Sequence, residues 1–305
     1  SGSSEVPPIR AIEDDTAYLI YTSGTTGRPK GAMLGQRGQL AFANQVAMDN
    51  GIQADDVMFL VMPFYHIGAK CNQIGCTYRG ASFVLHRDYD PSAIVQALEK
   101  YRVTLAHLAP VMVHDLLKLP DLASYDLSTF RLLQYASGPM PVAHIKLALE
   151  AFGPILMQIY GMTETGASTI LYPHHHRLDG SETDLRRLAS AGQAPPGSSI
   201  RVIRDDGTDC EIGEMGEILS LTPSVMTGYW NNSPSTIAAL EDGWMHTGDV
   251  GYFDEEYFLF VADRKKDMII SGGENIYPRE VEEALYTHAS VAEVAVIGIP
   301  DDRWG

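Results

Sequence analysis

The stretch Tyr21-Thr22-Ser23-Gly24-Thr25-Thr26-Gly27-Arg28-Pro29-Lys30-Gly31 holds three glycines, four Ser or Thr hydroxyls and a lysine. That set suits a polyphosphate. Glycines let backbone N–H groups approach, hydroxyls donate hydrogen bonds, and an ammonium supplies a point charge. It is not a Walker A loop, because Lys30 follows proline and precedes glycine rather than Ser or Thr. A flexible Gly/Thr surface turn is the plainer account of the same residues. Tyr160-Gly161-Met162-Thr163-Glu164 sets an aromatic face, a glycine, a hydroxyl and a carboxylate on one tight loop. A nucleotide needs a ring to stack on, close backbone approach, a donor to phosphate and an oxygen ligand for Mg²⁺. A helix start capped by Thr163 would use the same residues. In Trp244-Met245-His246-Thr247-Gly248-Asp249 the carboxylate could accept from both hydroxyls of a vicinal diol, although a lone Gly-Asp turn is ordinary. Asp263-Arg264-Lys265-Lys266-Asp267 is a charge run that a solvated face would also explain.

These residues need a frame. Ala17 to Ile20 reads as a buried strand before the first stretch, and Gly35 to Asn50 as a helix after it, ending at Gly51. Val57 to Met62 is a strand closed by Pro63. Asp90-Pro91 caps a helix over Ser92–Tyr101, with Ile94, Leu98 and Tyr101 on one face. Strands follow at Val103–Leu108, Arg131–Tyr135 and Ile155–Ile159, the last two bracketing a helix over Val142–Phe152. The alternation predicts an α/β layered domain with a mostly parallel sheet, which places ligands beyond the carboxyl ends of the strands. The loops at Pro63–Gly68, Ala136–Pro141 and Tyr160–Thr165 fall at those ends. Pro173 to Gly197 reads as exposed Pro/Gly-rich loop, with His174-His175-His176 in solvent rather than on a metal. Ser199 to Asp263 predicts a small antiparallel, barrel-like sheet. Past Arg264 come Met268-Ile269-Ile270, a helix led by Pro278 with early glutamates, and a strand over Ala292–Ile299, the start of a small α+β unit. The expected organisation is 1–190, 191–262 and 263–305.

Composition bounds the partners. The chain has 305 residues and a net charge of −17, which disfavours nucleic acid and anionic membrane. An ATP site in so acidic a chain must gather its cations locally, which singles out Lys30 and Arg264. No apolar run is long enough to cross a bilayer. Cys71, Cys76 and Cys210 are sparse and odd in number, as expected of buried thiols in a reducing, cytoplasmic setting.

The first two stretches, in this order, closely resemble the two phosphate and nucleotide signatures of the adenylate-forming superfamily. That superfamily comprises acyl-CoA synthetases, peptide-synthetase adenylation domains and firefly luciferases. The resemblance implies that Thr22, Ser23, Gly24, Thr25, Thr26, Gly27 and Lys30 grip the phosphates. It implies that Tyr160 stacks on adenine with Gly161 and Met162 beside it, that Thr163 holds the α-phosphate, and that Glu164 ligates Mg²⁺. Ser137 and Gly138 would lie on the other side of the base. Asp249 would bind the ribose hydroxyls, Arg264 would reach ribose or phosphate, and Lys266 would be the hinge between large and small domains. Many relatives carry aspartate at that pivot. His66, Ile67 and Gly68 sit where the family lines its acyl pocket, with His66 a gate or wall. Ser271-Gly272-Gly273-Glu274-Asn275-Ile276 is similar to the acyl- and aryl-CoA ligase version of the hinge, where Gly272 and Gly273 would let the pantetheine arm of coenzyme A pass. Gly228-Tyr229-Trp230-Asn231 matches a further family motif, expected to be structural.

The implied reaction activates a carboxylic acid with ATP to an acyl-adenylate and pyrophosphate, and then forms a thioester with coenzyme A. Ile67, Gly68 and Ala69 suggest an uncharged, apolar acyl or aryl group. The family also carries a lysine near the end of its small domain that contacts carboxylate and α-phosphate. No such motif occurs before Gly305, and the part that precedes the phosphate loop in relatives is absent. The chain is therefore expected to be a fragment, impaired by roughly 10²–10³ in rate if that lysine acts like other charge-stabilising groups. Three alternatives stay open, one of them a luciferase-type oxygenase, which shares these motifs. A peptide-synthetase domain would usually place an aspartate after the Phe of the pocket motif, where Phe64-Tyr65-His66-Ile67-Gly68-Ala69 has none. A nucleotide-binding module without catalysis would bind ATP and release no AMP.

Overall fold

Alternating short apolar runs and helices between Val57 and Leu171 assemble into one sheet with helices on both faces. The computed structural model describes residues 11–22, 29–265, 267–271, 274–288, 290–291 and 293–299. The chain opens with β1 (Thr16–Thr22), β2 (Lys30–Gly35) and α1 (Gln36–Asp49). There follow β3 (Val57–Leu60), α2 (Ile67–Arg79), β4 (Ser82–Leu85), α3 (Pro91–Lys100), β5 (Leu105–Leu108) and α4 (Pro110–Leu117). Next come β6 (Leu132–Tyr135), α5 (Val142–Phe152), β7 (Leu156–Met162) and β8 (Gly166–Leu171). The sheet runs β4-β3-β5-β6-β7-β8, parallel throughout except that β8 turns back antiparallel on β7. Strands β5 and β6 are buried at every position, as a parallel sheet covered on both faces requires. Phe59, Ala106, Leu108, Leu133 and Tyr135 face one layer, with Ile94, Val113 and Ile145 of α3, α4 and α5. Met58, Leu60, Leu105, Leu132 and Met157 face the other, with Phe42 of α1 and Cys71 and Cys76 of α2.

Local chemistry sets the helix ends. Asp90 caps α3 by accepting the Ala93 N–H at 2.6 Å, and Pro91 takes the first turn. Ile94 and Leu98 are buried on its inner face, but Tyr101, expected with them, is the exposed C-cap. Pro110 opens α4, because proline at the first helical position forfeits no hydrogen bond.

After α6 (Glu182–Arg187) the chain changes character, as expected. Strands β9 (Ser199–Ile203), β10 (Gly216–Leu221), β11 (Gly228–Tyr229), β12 (Leu240–Glu241), β13 (Trp244–Phe253) and β14 (Leu259–Arg264) follow, with α7 (Ser233–Ala239) after β11. Five of these strands form an antiparallel sheet in the order β12-β13-β10-β9, with β14 on β13. The sixth, β11, joins β1 and β2 in a separate sheet that the sequence reading did not foresee. Lys30 to Gly35 is a strand because Ala32 and Leu34 alternate inward, fully buried against Met226, Tyr229 and Met245. The chain continues through β15 (Ile269–Ser271), β16 (Glu274–Ile276) and α8 (Pro278–Tyr286).

Two expectations are corrected. The segment 173–197 is not all exposed loop: it holds α6, launched by a reciprocal Ser181–Asp184 capping box. Within it His176 is 2% exposed, bonded at 2.9 Å to the Tyr135 hydroxyl, and His175 packs edge-on against Phe258. Only His174 is exposed, and no group of three or more potential ligands gathers for a metal among the described residues. The described residues 293–299 form no strand. All three cysteines are free, and Cys71 and Cys76 are buried as expected. Among the described residues, no helix is long and apolar enough to cross a membrane.

Candidate active site

The phosphate-loop stretch is the connection of a hairpin. Thr22 ends β1, Lys30 begins β2, and the two are cross-strand partners. Ser23, Gly24, Thr25, Thr26 and Gly27 lie outside the described residues. What the hairpin base touches is well defined. Thr22 Oγ1 donates to Glu164 Oε1 at 3.1 Å, across 142 positions of sequence. The Tyr229 hydroxyl donates to the same oxygen at 2.8 Å, and the Lys30 ammonium sits over the Tyr229 ring, 5.2 Å from its centre. Glu164 is 3% exposed. Hydrogen bonds to a charged group are worth about 1.5–3 kcal/mol each, so two on one oxygen hold this carboxylate in a single orientation.

A second carboxylate is held the same way. Tyr160, four positions before Glu164, donates its hydroxyl to Asp249 Oδ2 at 2.8 Å. Arg264 Nε lies 3.3 Å from the other oxygen, and the β13–β14 register places Asp249 directly opposite Arg264. Burial raises the Asp249 pKa above its ordinary value, against the opposing pull of Tyr160 and Arg264. Burial, then the adjacent Asp249 charge, raises the Tyr160 phenol so that it stays a donor.

The backbone between the two clamps is tightly specified. Gly161 is required because a Cβ there would lie 1.9 Å from the Gly166 carbonyl oxygen. Thr163 to Thr165 make the turn from β7 into β8, and the Glu164 carbonyl accepts from Met226 N–H at 2.7 Å. Beneath the turn, the Thr222 and Ser224 hydroxyls donate to the Thr165 carbonyl at 2.6 and 2.7 Å. Thr165, Ser168 and Ser220 continue the buried hydroxyl chain at 3.0 and 2.8 Å. Beyond β6, Ser137 and Gly138 are exposed, and Ser137 holds φ +71°, a left-handed conformation that strains a non-glycine residue.

The third part of the site is the start of α2. His66 caps that helix, its Nδ1 accepting the Gly68 N–H at 3.0 Å. Burial lowers the His66 pKa, so its ring is neutral near pH 7 and carries its proton on Nε2. With the Nδ1 lone pair occupied by Gly68 N–H, the remaining polar atom of the His66 ring is the Nε2 donor. Lys266, Gly272 and Gly273 lie outside the described residues, whereas Arg264, two positions before the expected pivot, is at the Asp249 clamp.

The structure thus brings Thr22, Lys30 and Glu164 together at one end of a short segment, and Tyr160, Asp249 and Arg264 at the other. A profile for AMP-binding enzymes matches residues 2–230, and one for the AMP-binding enzyme C-terminal domain matches residues 280–305. The chain belongs to the AMP-binding enzyme family. It is 42% identical over 303 residues to an indoleacetate–CoA ligase of Aromatoleum aromaticum, covering 98% of this chain and 58% of that protein. The o-succinylbenzoate CoA synthetase of Bacillus subtilis, solved with its acyl-adenylate intermediate, superposes with a TM-score of 0.84 at 36% identity. That match covers 96% of this chain and 58% of the other. ATP-bound MatB of Rhodopseudomonas palustris superposes with a TM-score of 0.89 at 30% identity, covering 99% of this chain and 59% of that one. The chain spans about three fifths of the length of these family members.

Sequence reasoning missed two contributors. Tyr229, expected to be structural, supports the site through Glu164: its hydroxyl is one of the two described donors to that carboxylate. The hydroxyl chain beneath Glu164 left a legible trace in Ser220-x-Thr222-x-Ser224, alternating hydroxyls too regular for a purely apolar strand.

Proposed function

We propose that this protein uses ATP to activate a carboxylic acid as an acyl-adenylate, releasing pyrophosphate, and then transfers the acyl group to the thiol of coenzyme A. One observation carries the reading: the segment Tyr160–Glu164 is tied at one end to a ribose-type acceptor, Asp249, and at the other to the base of the phosphate hairpin, Thr22. A nucleotide laid along it would have its sugar at Asp249 and its phosphates toward Thr22 and Lys30. The acid's carboxylate oxygen attacks the α-phosphorus, and the bond from that phosphorus to pyrophosphate breaks. The thiol sulfur then attacks the acyl carbon, the bond to AMP breaks, and the thiol proton leaves to solvent.

The chain's own residues supply position and charge. Asp249 accepts from the ribose diol, and Tyr160 presents its ring to the base while its hydroxyl fixes Asp249. Lys30 and the hairpin connection 23–29 meet the β- and γ-phosphates, Thr163 meets the α-phosphate, and Ser137 and Gly138 lie along the base. Arg264 spans from Asp249 toward ribose or phosphate, Lys266 serves as the pivot, and Gly272 and Gly273 admit the pantetheine arm. Glu164 suits Mg²⁺, which typically takes one or two protein carboxylates and completes its shell with substrate phosphates and water. Both described bonds fall on its Oε1, so they orient the group without calling on its second oxygen. When bound, the ion would neutralise phosphate charge as pyrophosphate leaves. His66, Ile67 and Gly68 wall the acid pocket.

The test is AMP release from ATP with a panel of carboxylic acids, with and without coenzyme A, alongside ATP binding by calorimetry. Acid-dependent AMP release that coenzyme A accelerates is expected. ATP binding with no AMP release for any acid would leave a nucleotide-binding module and overturn the reading.

A further inference from the structure

The stretch that joins β10 to β11 follows the Glu164 turn atom by atom. Strand β10 ends at Leu221, and the chain then turns, with Val225 N–H donating to the Thr222 carbonyl at 3.2 Å. From this turn the Thr222 and Ser224 hydroxyls, 3.3 Å apart, both donate to the Thr165 carbonyl, at 2.6 and 2.7 Å. One step further, Met226 N–H donates to the Glu164 carbonyl at 2.7 Å. Three residues later, the Tyr229 hydroxyl donates to the Glu164 side chain. A single short segment of the antiparallel part of the chain thus holds the carbonyls on both sides of the Glu164–Thr165 peptide, and the carboxylate itself.

The grip on Thr165 is more than folding requires. Thr165 is 0% exposed, Thr222 4% and Ser224 3%. A buried carbonyl needs one donor to avoid its desolvation cost, and each further buried hydroxyl must be brought out of water as well. Two short bonds from one turn restrict the direction as well as the distance of the acceptor. The fit is close on the other side too: a Cβ on Gly166 would lie 2.7 Å from Ser224 Oγ, so glycine at 166 admits that hydroxyl. Thr165 Oγ1, Ser168 and Ser220 extend the network at 3.0 and 2.8 Å, and none of these hydroxyls is left without a partner. A buried polar network that is fully satisfied specifies one arrangement of the groups it holds.

We propose that Thr222 and Ser224 are positioning residues for Glu164: their shared hold on the Thr165 carbonyl sets where the Glu164 carboxylate stands relative to the nucleotide. The inference rests on the acid-activating reading above and brings the β10–β11 turn into its chemistry. It also makes the two ends of Tyr160–Glu164 separable. The Tyr160 end is fixed by Asp249 and the Glu164 end by this turn. Loosening the second end acts on the chemical step and leaves nucleotide affinity to the first.

The experiment uses Thr222→Val and Ser224→Ala, each of which keeps the shape of the side chain and leaves the Thr165 carbonyl one donor. At saturating ATP and acid, kcat for AMP release should fall roughly ten-fold in each, short of the ~10² that a misplacement of about 1 Å can cost. ATP affinity by calorimetry without Mg²⁺ should be unchanged. The gain in ATP affinity on adding Mg²⁺ should shrink toward that of Glu164→Gln. Thr222→Ser, which keeps the hydroxyl, should recover most of kcat. Combined with Glu164→Gln, Ser224→Ala should add little, since residues that act through one group are not additive.

A fall in stability to urea with kcat and the Mg²⁺ gain both unaltered would leave the two hydroxyls a purely structural part and overturn the proposal. Full additivity with Glu164→Gln, or an equal fall in kcat and in Mg²⁺-free ATP affinity, would place their action elsewhere and overturn it too. Each of these results leaves acid activation standing. ATP binding by the unaltered protein without AMP release for any acid overturns acid activation, and this inference with it.

Discussion

Glu164 and Asp249 are each held by a tyrosine hydroxyl at 2.8 Å, yet the two clamps are built differently. Glu164 is 3% exposed and takes both its described bonds, from Tyr229 and Thr22, on one oxygen. Asp249 has its side chain 14% exposed and spreads its partners over both oxygens, with a guanidinium on the second. Hydroxyls orient a carboxylate without an opposing charge of their own, which suits Glu164 to the cation proposed above. Asp249 is partly compensated in advance by Arg264 and is suited to accept from neutral hydroxyls. Similar packing thus prepares one group for charge and the other for geometry.

The largest effect should follow from removing the carboxylate proposed to hold a cation. Glu164→Gln keeps the size of the side chain and both hydroxyl donors, and should lower acid-dependent AMP release at saturating ATP by roughly 10²–10³. A loss below ten-fold would show that the Glu164 charge is not used and that the two clamps serve the same end. Asp249→Ala should act on binding instead. It should weaken ATP by about ten- to a hundred-fold, the worth of charge-assisted bonds to the ribose. It should also abolish any preference for ATP over its 2′- and 3′-deoxy forms in competition calorimetry. Equal weakening of ribose and deoxyribose nucleotides by this substitution would move the sugar away from Asp249.

How far these clamps were legible in the sequence follows from what each residue does locally. Thr22, Tyr160 and Glu164 stood out as a hydroxyl, a ring and a carboxylate set among glycines, whereas Asp249, ordinary as a lone Gly-Asp turn, was marked by the resemblance of its stretch to a family motif. The parallel sheet was legible because β5 and β6 are buried on both faces and so read as short, mostly apolar runs, each interrupted by a single polar residue, His107 and Gln134. Tyr229 did not stand out as a carboxylate partner, since its bond to Glu164 spans 65 positions and leaves no local periodicity. Strand β2 was hidden in the same way, because Ala32 and Leu34 become core only once β11 and β13 supply the other side. The exposed reading of His176 failed for a related reason. A polar loop histidine looks solvated until the distant Tyr135 hydroxyl meets it.

A smaller pair of effects sharpens the comparison within the folded state. Tyr229→Phe leaves a nearly buried carboxylate with the Thr22 hydroxyl as its described donor, and should cost roughly 1.5–3 kcal/mol by urea denaturation. Tyr160→Phe leaves Asp249 with Arg264 and more solvent, and should cost less than half of that. Equal losses would mean that burial, rather than partner type, governs both sites.

The smallest effect is one of pH, and its sign separates Asp249 from the buried histidines. Burial raises the Asp249 pKa above 3.8, so between 3.8 and the raised value the folded chain holds a proton that the unfolded chain has released. Folding therefore gains from Asp249 as pH falls through that window. His107 and His176 are pushed from 6.5 down to about 4 by burial, so the unfolded chain binds more protons there and stability falls on acidification from 6.5 toward 4. The two trends oppose one another and must be separated by difference. Subtracting the stability of Asp249→Asn from that of the unaltered protein cancels the histidines, and the remainder should rise as pH drops through the raised Asp249 pKa. ATP affinity should move the opposite way over the same window, since protonation removes the charged acceptor for the ribose hydroxyls. In Asp249→Asn it should lose that component. A difference curve that falls on acidification would show that Tyr160 and Arg264 outweigh burial, making Asp249 a charge-holding site of the same kind as Glu164.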